Sequence, residues 1–148
     1  MPKKFAEFTI SQVAIFIRHD RCLILEFADR SAGWWGLPGG RIDEGELSAE
    51  DAFRREIKEE LGLTKFDILA VADYDIWYSD YMRRPVSGVA NLIQSSQDQI
   101  KLSSEHISYR WVKESEIDNY QYIWPSAPRM IERGFALHKL LTKNKLIH

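Results

Sequence analysis

Across residues 48–61 the apolar side chains Phe53, Ile57 and Leu61 recur every four positions, helped by Ala49 and Ala52. That period predicts an α-helix with one buried stripe. Ser48 is a suitable N-cap with Asp51 three residues on as its capping-box partner, and Gly62 follows the last apolar residue as a stop. The polar side of this helix is the constraint that matters. Glu56, Glu59 and Glu60 stand at i, i+3 and i+4, so three carboxylates share one face. Like charges at that spacing repel by roughly 0.2–0.5 kcal/mol per pair on an exposed helix. Three together ask for a partner. Arg55, next in sequence, is one. A hard divalent cation is another, because Mg2+ is usually held by one or two carboxylates together with substrate phosphates and waters. Gly39-Gly40 ahead of the helix can bring backbone groups close to the same cation, since glycine has no Cβ in the way. Taken alone, the three glutamates fit a solvated acidic face better than a cation site.

Strand-like segments flank the helix. Residues 8–17 and 22–27 are apolar and β-branched, and Arg18-His19-Asp20-Arg21 between them predicts a β-hairpin. Residues 29–33 read as a loop, and 34–38 as a short strand running into the glycines. After the helix, 66–78 predicts a strand with Ala70, Ala72, Tyr74 and Ile76 on one face, followed by strands at 86–93 and 107–112. Residues 114–119 form a helical turn. A second helix is expected over 126–141, with Ser126 as cap, Pro128 in its first turn, and Ile131, Phe135 and Leu141 on a buried face. This order predicts an α/β or α+β sandwich in which helices cover a mixed sheet. There is no internal repeat and no linker composition, so residues 1–148 are read as a single domain, of a size that buries a core without a metal or disulfide staple.

Composition narrows the function classes. Lys plus Arg is 20 and Asp plus Glu is 22, a net charge of −2, which argues against a general nucleic-acid or membrane-surface binder. The lone cysteine, Cys22, sits inside an apolar strand, reads as a buried thiol, and fits a reducing compartment. No apolar run approaches the roughly 18 residues of a membrane helix, and the start of the chain lacks the apolar core of a signal peptide. A cytoplasmic location is the expectation.

The stretch from Gly39-Gly40 to Gly62-Leu63 resembles the Nudix box, G-x5-E-x7-R-E-U-x-E-E-x-G-U with U a bulky aliphatic. Gly40 and Glu46 fit the first part. Arg55-Glu56-Ile57-Lys58-Glu59-Glu60-Leu61-Gly62-Leu63 fits the second without a miss. A chance match of this kind is on the order of one in a million chains. One departure stands out: eight residues, Leu47 through Arg54, separate Glu46 from Arg55 where the pattern has seven. A loop absorbs such an insertion, whereas inside a helix it would rotate the carboxylates by about 100°. The spacing from Arg55 onward is kept, and what the extra residue leaves open is the place of Glu46. Trp35-Gly36-Leu37-Pro38 ahead of the box is similar to the family's lead-in strand. Glu105-His106-Ile107-Ser108-Tyr109-Arg110-Trp111-Val112 with Glu116-Ile117 is similar to a late strand and turn.

The resemblance implies a Nudix-like αβα sandwich, with a mixed curved sheet flanked by helices. It implies Mg2+- or Mn2+-dependent hydrolysis of a nucleoside diphosphate linked to another moiety, by water attack at phosphorus. Gly40, Glu56, Glu59 and Glu60 would be the metal site, and Arg55 would hold the carboxylates. Glu56, Glu59, Arg55 and Glu105 would carry catalysis, with Glu105 as the later candidate for the base. In some members an acidic residue directly precedes the late tryptophan; here Arg110 stands there.

Substrate contacts are expected at Trp35 and Trp77 by stacking and at Arg84 by charge, each against the plainer reading of packing or a solvated charge. His106 beside Glu105 is a further candidate without supporting spacing. The segment 120–124 is an interface, including that of a homodimer, or a docking segment for the closing helix. Two other functions compete. A silent nucleotide-binding module of the same fold is free to lose a carboxylate, yet all three are present. An isoprenyl diphosphate isomerase needs a positioned cysteine, and the only one lies in the first hairpin.

Overall fold

The computed structural model describes residues 1–29 and 32–148, so the loop expected at 29–33 lies partly outside the described residues. In chain order the elements are β1 (Thr9–Arg18), β2 (Arg21–Phe27), β3 (Trp35–Gly36), β4 (Gly39–Arg41), α1 (Ala49–Leu61), β5 (Asp67–Ser79), β6 (Arg84–Gln94), β7 (His106–Lys113), a 3-10 helix (Glu114–Asn119) and α2 (Ala127–Lys143). The first hairpin turns on two residues, His19 and Asp20, both at positive φ (50° and 59°). A two-residue turn of that hand matches the twist of the strands it joins.

The hairpin strands stay paired only at Ile17↔Cys22 and Arg18↔Arg21 and then part. β1 runs parallel to β6 from Thr9↔Val86 to Phe16↔Ile93, while β4 pairs its other edge at Ser11, Gln12 and Val13. β2 leaves with β7 on one side and β3 on the other. The result is a mixed, splayed sheet with β5 on the far edge of β6.

Side-chain alternation along β1 makes the sandwich. Ala14 and Phe16 meet Phe53, Ile57 and Leu61 of α1 on one face. Val13, Ile15 and Ile17 meet Met130, Ile131 and Phe135 of α2 on the other. Each such fully buried side chain contributes roughly 1.5–3 kcal/mol. The expected αβα architecture, a mixed sheet flanked by helices, is what forms.

Two findings depart from the expected elements. β5 carries bulges between Ile68 and Ala70 and between Val71 and Asp73. Each adds a residue to one strand and shifts the side-chain alternation. Ala70, Ala72, Tyr74 and Ile76 therefore do not share a core face: Tyr74 and Ile76 are 74% and 60% exposed, while Asp73 is buried. Asp73 faces α2, where Arg129 Nε (2.9 Å) and Arg133 Nη1 (2.6 Å) donate to its two oxygens. The segment 120–124 docks on the core. Tyr120, Tyr122 and Trp124 pack against this chain's own core beneath α2, and Tyr122 Oη donates to the Ile117 carbonyl at 2.9 Å. Ser126 takes the N-cap position of α2, but its side chain makes no capping hydrogen bond. No helix among the described residues is long and apolar enough to cross a membrane.

Candidate active site

The site begins with the cap that fixes α1. Ser48 Oγ accepts from the Asp51 N–H, and the Gly62 N–H returns to the Lys58 carbonyl, so the helix frame is set at both ends. With Phe53, Ile57 and Leu61 held in the core, Glu56, Glu59 and Glu60 emerge toward β4. Gly39 has φ +151°, and a Cβ there would strike the Gln12 backbone. Its N–H donates to Glu60 Oε2 at 2.8 Å. At Gly40 a Cβ would occupy the space of the Glu56 carboxylate. The glycine pair thus brings bare backbone against two of the three carboxylates.

Arg55 gathers the rest. Its guanidinium donates to Glu46 through Nη2 (2.6 Å) and Nε (3.0 Å), to Glu56 Oε1 (3.0 Å) and to Glu59 Oε2 (3.2 Å). It also lies 3.3 Å from Asp43 Oδ2. The two-pronged contact with Glu46 is the strong, directional form of an arginine–carboxylate pair. The extra residue before the helix is taken up in the loop, where Leu47 is fully exposed, and Glu46 keeps its hold on Arg55.

Electrostatics follow from this packing. Burial pushes the Glu60 carboxyl up to about 8, against the Gly39 hydrogen bond and with help from the charges of Glu105, Glu56 and Glu59. Burial also raises Glu56, although Arg55 opposes it. Glu46 is held below the usual carboxylate range, first by the Arg55 hydrogen bond. Arg55 holds its proton more tightly than usual, chiefly through Glu46. A bound cation would offset the repulsion among these carboxylates. The donors are hard oxygens, and the Gly40 cradle leaves room beside them. The residues present fit Mg2+ or Mn2+.

The carboxylates line a cleft of about 830 Å3 whose wall includes Gly40, Arg41, Arg84 and Glu105. Arg84 reaches it from the start of β6, with its Nη1 3.3 Å from Thr9 Oγ1. Trp35 and Trp77 do not line this cleft. Both pack against the core beneath α2, Trp35 edge-on to Tyr120 and Trp77 parallel to Trp124 with ring centroids 6.4 Å apart. Cys22 is fully buried in that same core, with its thiol pushed up to about 12 by burial. It offers nothing to the cleft.

The Gly39 N–H is the backbone contact expected of the glycine pair. Two contributors escaped sequence reasoning, the Asp43 carboxylate and Arg41. His106, the further candidate beside Glu105, lies close to Glu60: one ring nitrogen and one oxygen each of Glu60 and Glu105 fall within 4.8 Å of one another. His106 is buried, its Nδ1 has no hydrogen-bond partner among the described residues, and burial lowers its pKa despite the nearby charges of Glu105 and Asp29.

Comparison with known proteins agrees with this geometry. Residues 9–134 match the model of the NUDIX domain. The chain is 31% identical over 124 residues to the nucleoside triphosphatase NudI of Salmonella paratyphi B, covering 73% of this chain and 84% of that one. A MutT protein from Methanosarcina mazei superposes with a TM-score of 0.74 at 26% identity, over 93% of this chain and 99% of the other. The Ap4A hydrolase of C. elegans, at 19% identity and TM-score 0.75 over 88% and 98% of the chains, shares the fold.

Proposed function

The chain belongs to the NUDIX hydrolase family, and on that premise we propose that it splits a nucleoside triphosphate, with Mg2+ or Mn2+, by attack of water at phosphorus. The observation that carries this reading is the intact acidic cluster, with Glu46, Glu56 and Glu59 on one arginine and Glu60 on the Gly39 N–H. In the proposal Glu56, Glu59 and Glu60, with the Gly40 carbonyl, hold the cation. A bound divalent cation supplies neutralisation of phosphate charge and acidifies water. Arg55 keeps the carboxylates in register, so that little reorganisation is needed when substrate arrives. Glu105, on the cleft wall, takes the proton of the attacking water. Arg84 receives phosphate charge from the opposite wall. Base stacking by Trp35 and Trp77 is part of the proposal, and quenching of tryptophan fluorescence by nucleotide, compared with Trp77→Phe, tests it.

The triphosphate class is favoured by the nucleoside triphosphatase among the relatives. Self-association is supported by the edge strand β5, which exposes Val71, Tyr74, Ile76 and Tyr78; light scattering reads it directly. The deciding experiment is phosphate and pyrophosphate release over nucleoside triphosphates and nucleotide sugars with Mg2+, Mn2+ or EDTA, beside Glu59→Gln. The Glu59 side chain is 58% exposed, so this variant leaves the fold intact. Metal-dependent turnover lost in Glu59→Gln supports the proposal. Silence across the panel with metal binding intact overturns it in favour of a binding module.

A further inference from the structure

On the α1 side of the sheet a second pocket, of about 570 Å3, opens beside the metal cleft. The strand registers dictate its floor. Parallel pairing sets Gln12 of β1 beside Val89 of β6, and antiparallel pairing sets Asn91 of β6 beside Val71 of β5. Side chains two residues apart share a face, so Ile10 joins Gln12 there. Phe53 of α1 closes one end of the pocket. Ile42 closes another, with its N–H on the Ile10 carbonyl at 2.9 Å. An apolar pocket of this volume with a few placed polar groups has the usual anatomy of a small-molecule site.

Two buried carboxamides supply the polar groups. Gln12 and Asn91 are each only 6% accessible. Gln12 Nε2 donates to the Ala49 carbonyl at 2.8 Å, which fixes that amide and leaves its oxygen as an acceptor. The Asn91 side chain lines the pocket and makes no hydrogen bond among the described residues. A carboxamide so far from bulk water normally has partners, and this one offers an acceptor and two donors to whatever enters. Neither amide is charged. Among the described lining residues Arg54 is the one cation, and it is already engaged by Glu50 Oε1 (3.0 Å) and the Phe66 carbonyl (3.0 Å). Glu50 and Asp67 stand at the same rim, so a phosphate would meet more negative charge than positive.

We infer that this pocket is a second ligand site, for an uncharged planar heterocycle with a hydrogen-bond donor beside an acceptor on one edge, the class to which the base of an unphosphorylated nucleoside belongs. The ring lies on the aliphatic floor. The Asn91 carboxamide pairs with the donor–acceptor edge, as asparagine does with adenine, and the Gln12 oxygen takes a further donor. The pocket shares Ile10 and Ile42 with the metal cleft, but none of the carboxylates around Arg55 lines it. The inference therefore goes beyond the hydrolase reading and does not depend on it.

The test is 1H–15N correlation spectroscopy of the whole chain in EDTA, titrated with adenosine and with uridine. The Asn91 side-chain amide signal is assigned by its loss in Asn91→Leu. At least one nucleoside should shift that signal and the backbone signals of Val71 and Val89, with a Kd of about 0.1 mM, the value that ordinary ligand efficiency gives a molecule of this size. Asn91→Leu, close in volume and without a polar group to bury, should keep the urea midpoint and weaken binding about 10–100-fold. Val71 is 56% exposed at the mouth, so Val71→Arg should block the pocket with the core untouched and give the same loss. The matching nucleoside monophosphate should bind there about tenfold more weakly; equal binding overturns the uncharged class. No shift at Asn91 with either nucleoside up to about 2 mM, some twentyfold above the expected Kd, overturns the inference. Shifts confined to the Trp35 and Trp77 indole signals also overturn it and support the stacking proposed above. Binding at Asn91 in a protein without turnover supports this site and counts only against the hydrolase.

Discussion

The raised Glu60 carboxyl should make the metal-free protein lose stability as pH rises. Glu60 is nearly buried, and its carboxyl moves from an ordinary 4.5 to about 8 on folding. Below pH 4.5 both folded and unfolded chains carry the proton and nothing is lost. Between 4.5 and 8 the unfolded chain releases it and the folded chain keeps it, so stability falls with pH; above 8 the full penalty is present. A tenfold change in proton affinity is about 1.4 kcal/mol, which puts the ceiling near 5 kcal/mol and the expected loss on the order of 3–5 kcal/mol. Urea unfolding in EDTA at pH 5 and pH 8 reads this as a midpoint shift of about 2 M, given the usual slope of about 1–3 kcal/mol per molar. Glu60→Gln stays neutral at both pH values and should show that much less pH dependence. Mg2+ should restore wild type at pH 8 and leave the variant nearly unchanged. Parallel pH slopes for wild type and Glu60→Gln in EDTA would refute the reasoning.

Three more outcomes follow from other parts of the molecule. Gly40→Ala places a methyl where the Glu56 carboxylate sits; metal-dependent turnover should fall about 10–100-fold while circular dichroism remains native. Removing Arg129 and Arg133 together, as methionines, leaves the buried Asp73 carboxylate with only the Tyr74 N–H, which should lower the urea midpoint at pH 7. Burial alone would raise Asp73, but the Arg129 and Arg133 hydrogen bonds hold it below its ordinary 3.8. In wild type that contribution should therefore be present above pH 3.8 and fade as pH falls through the lower native value. Cys22, buried and with its thiol pushed up to about 12, should resist iodoacetamide at pH 8 until denaturant exposes it; rapid native labelling would count against its placement.

What was legible in the sequence was local. The α1 stripe and caps, the first hairpin and the run from Arg55 to Leu63 are written in neighbouring residues, and the structure repeats them with boundaries moved by a residue or two. The box also gave a helix face on which carboxylates must meet. What was not legible depends on pairs far apart in the chain. The parallel β1–β6 register joins Thr9 to Val86, and no local pattern encodes it. The bulges of β5 break an alternation that looked regular through Ile76, where Asp73 turns inward to arginines 56 and 60 residues downstream. The neighbours of Trp35 and Trp77 in space, Tyr120 and Trp124, lie in a segment far along the chain that docks under α2. The approach of His106 to Glu60 likewise needs β7 to lie beside β2.

The connection between β4 and α1 behaves as slack in a rope tied at both ends. The Ile42 N–H is knotted to the Ile10 carbonyl, Ser48 is knotted to the helix, and Arg55 reels Glu46 back whatever the distance along the chain. Doubling the length of such a loop costs only about 0.6 kcal/mol in closure entropy. Length there is accordingly a nearly neutral character of the molecule, free to drift between relatives. The position of α1 on the sheet is not, because it is set by Phe53, Ile57 and Leu61 in the core and by the bare backbone of Gly39 and Gly40.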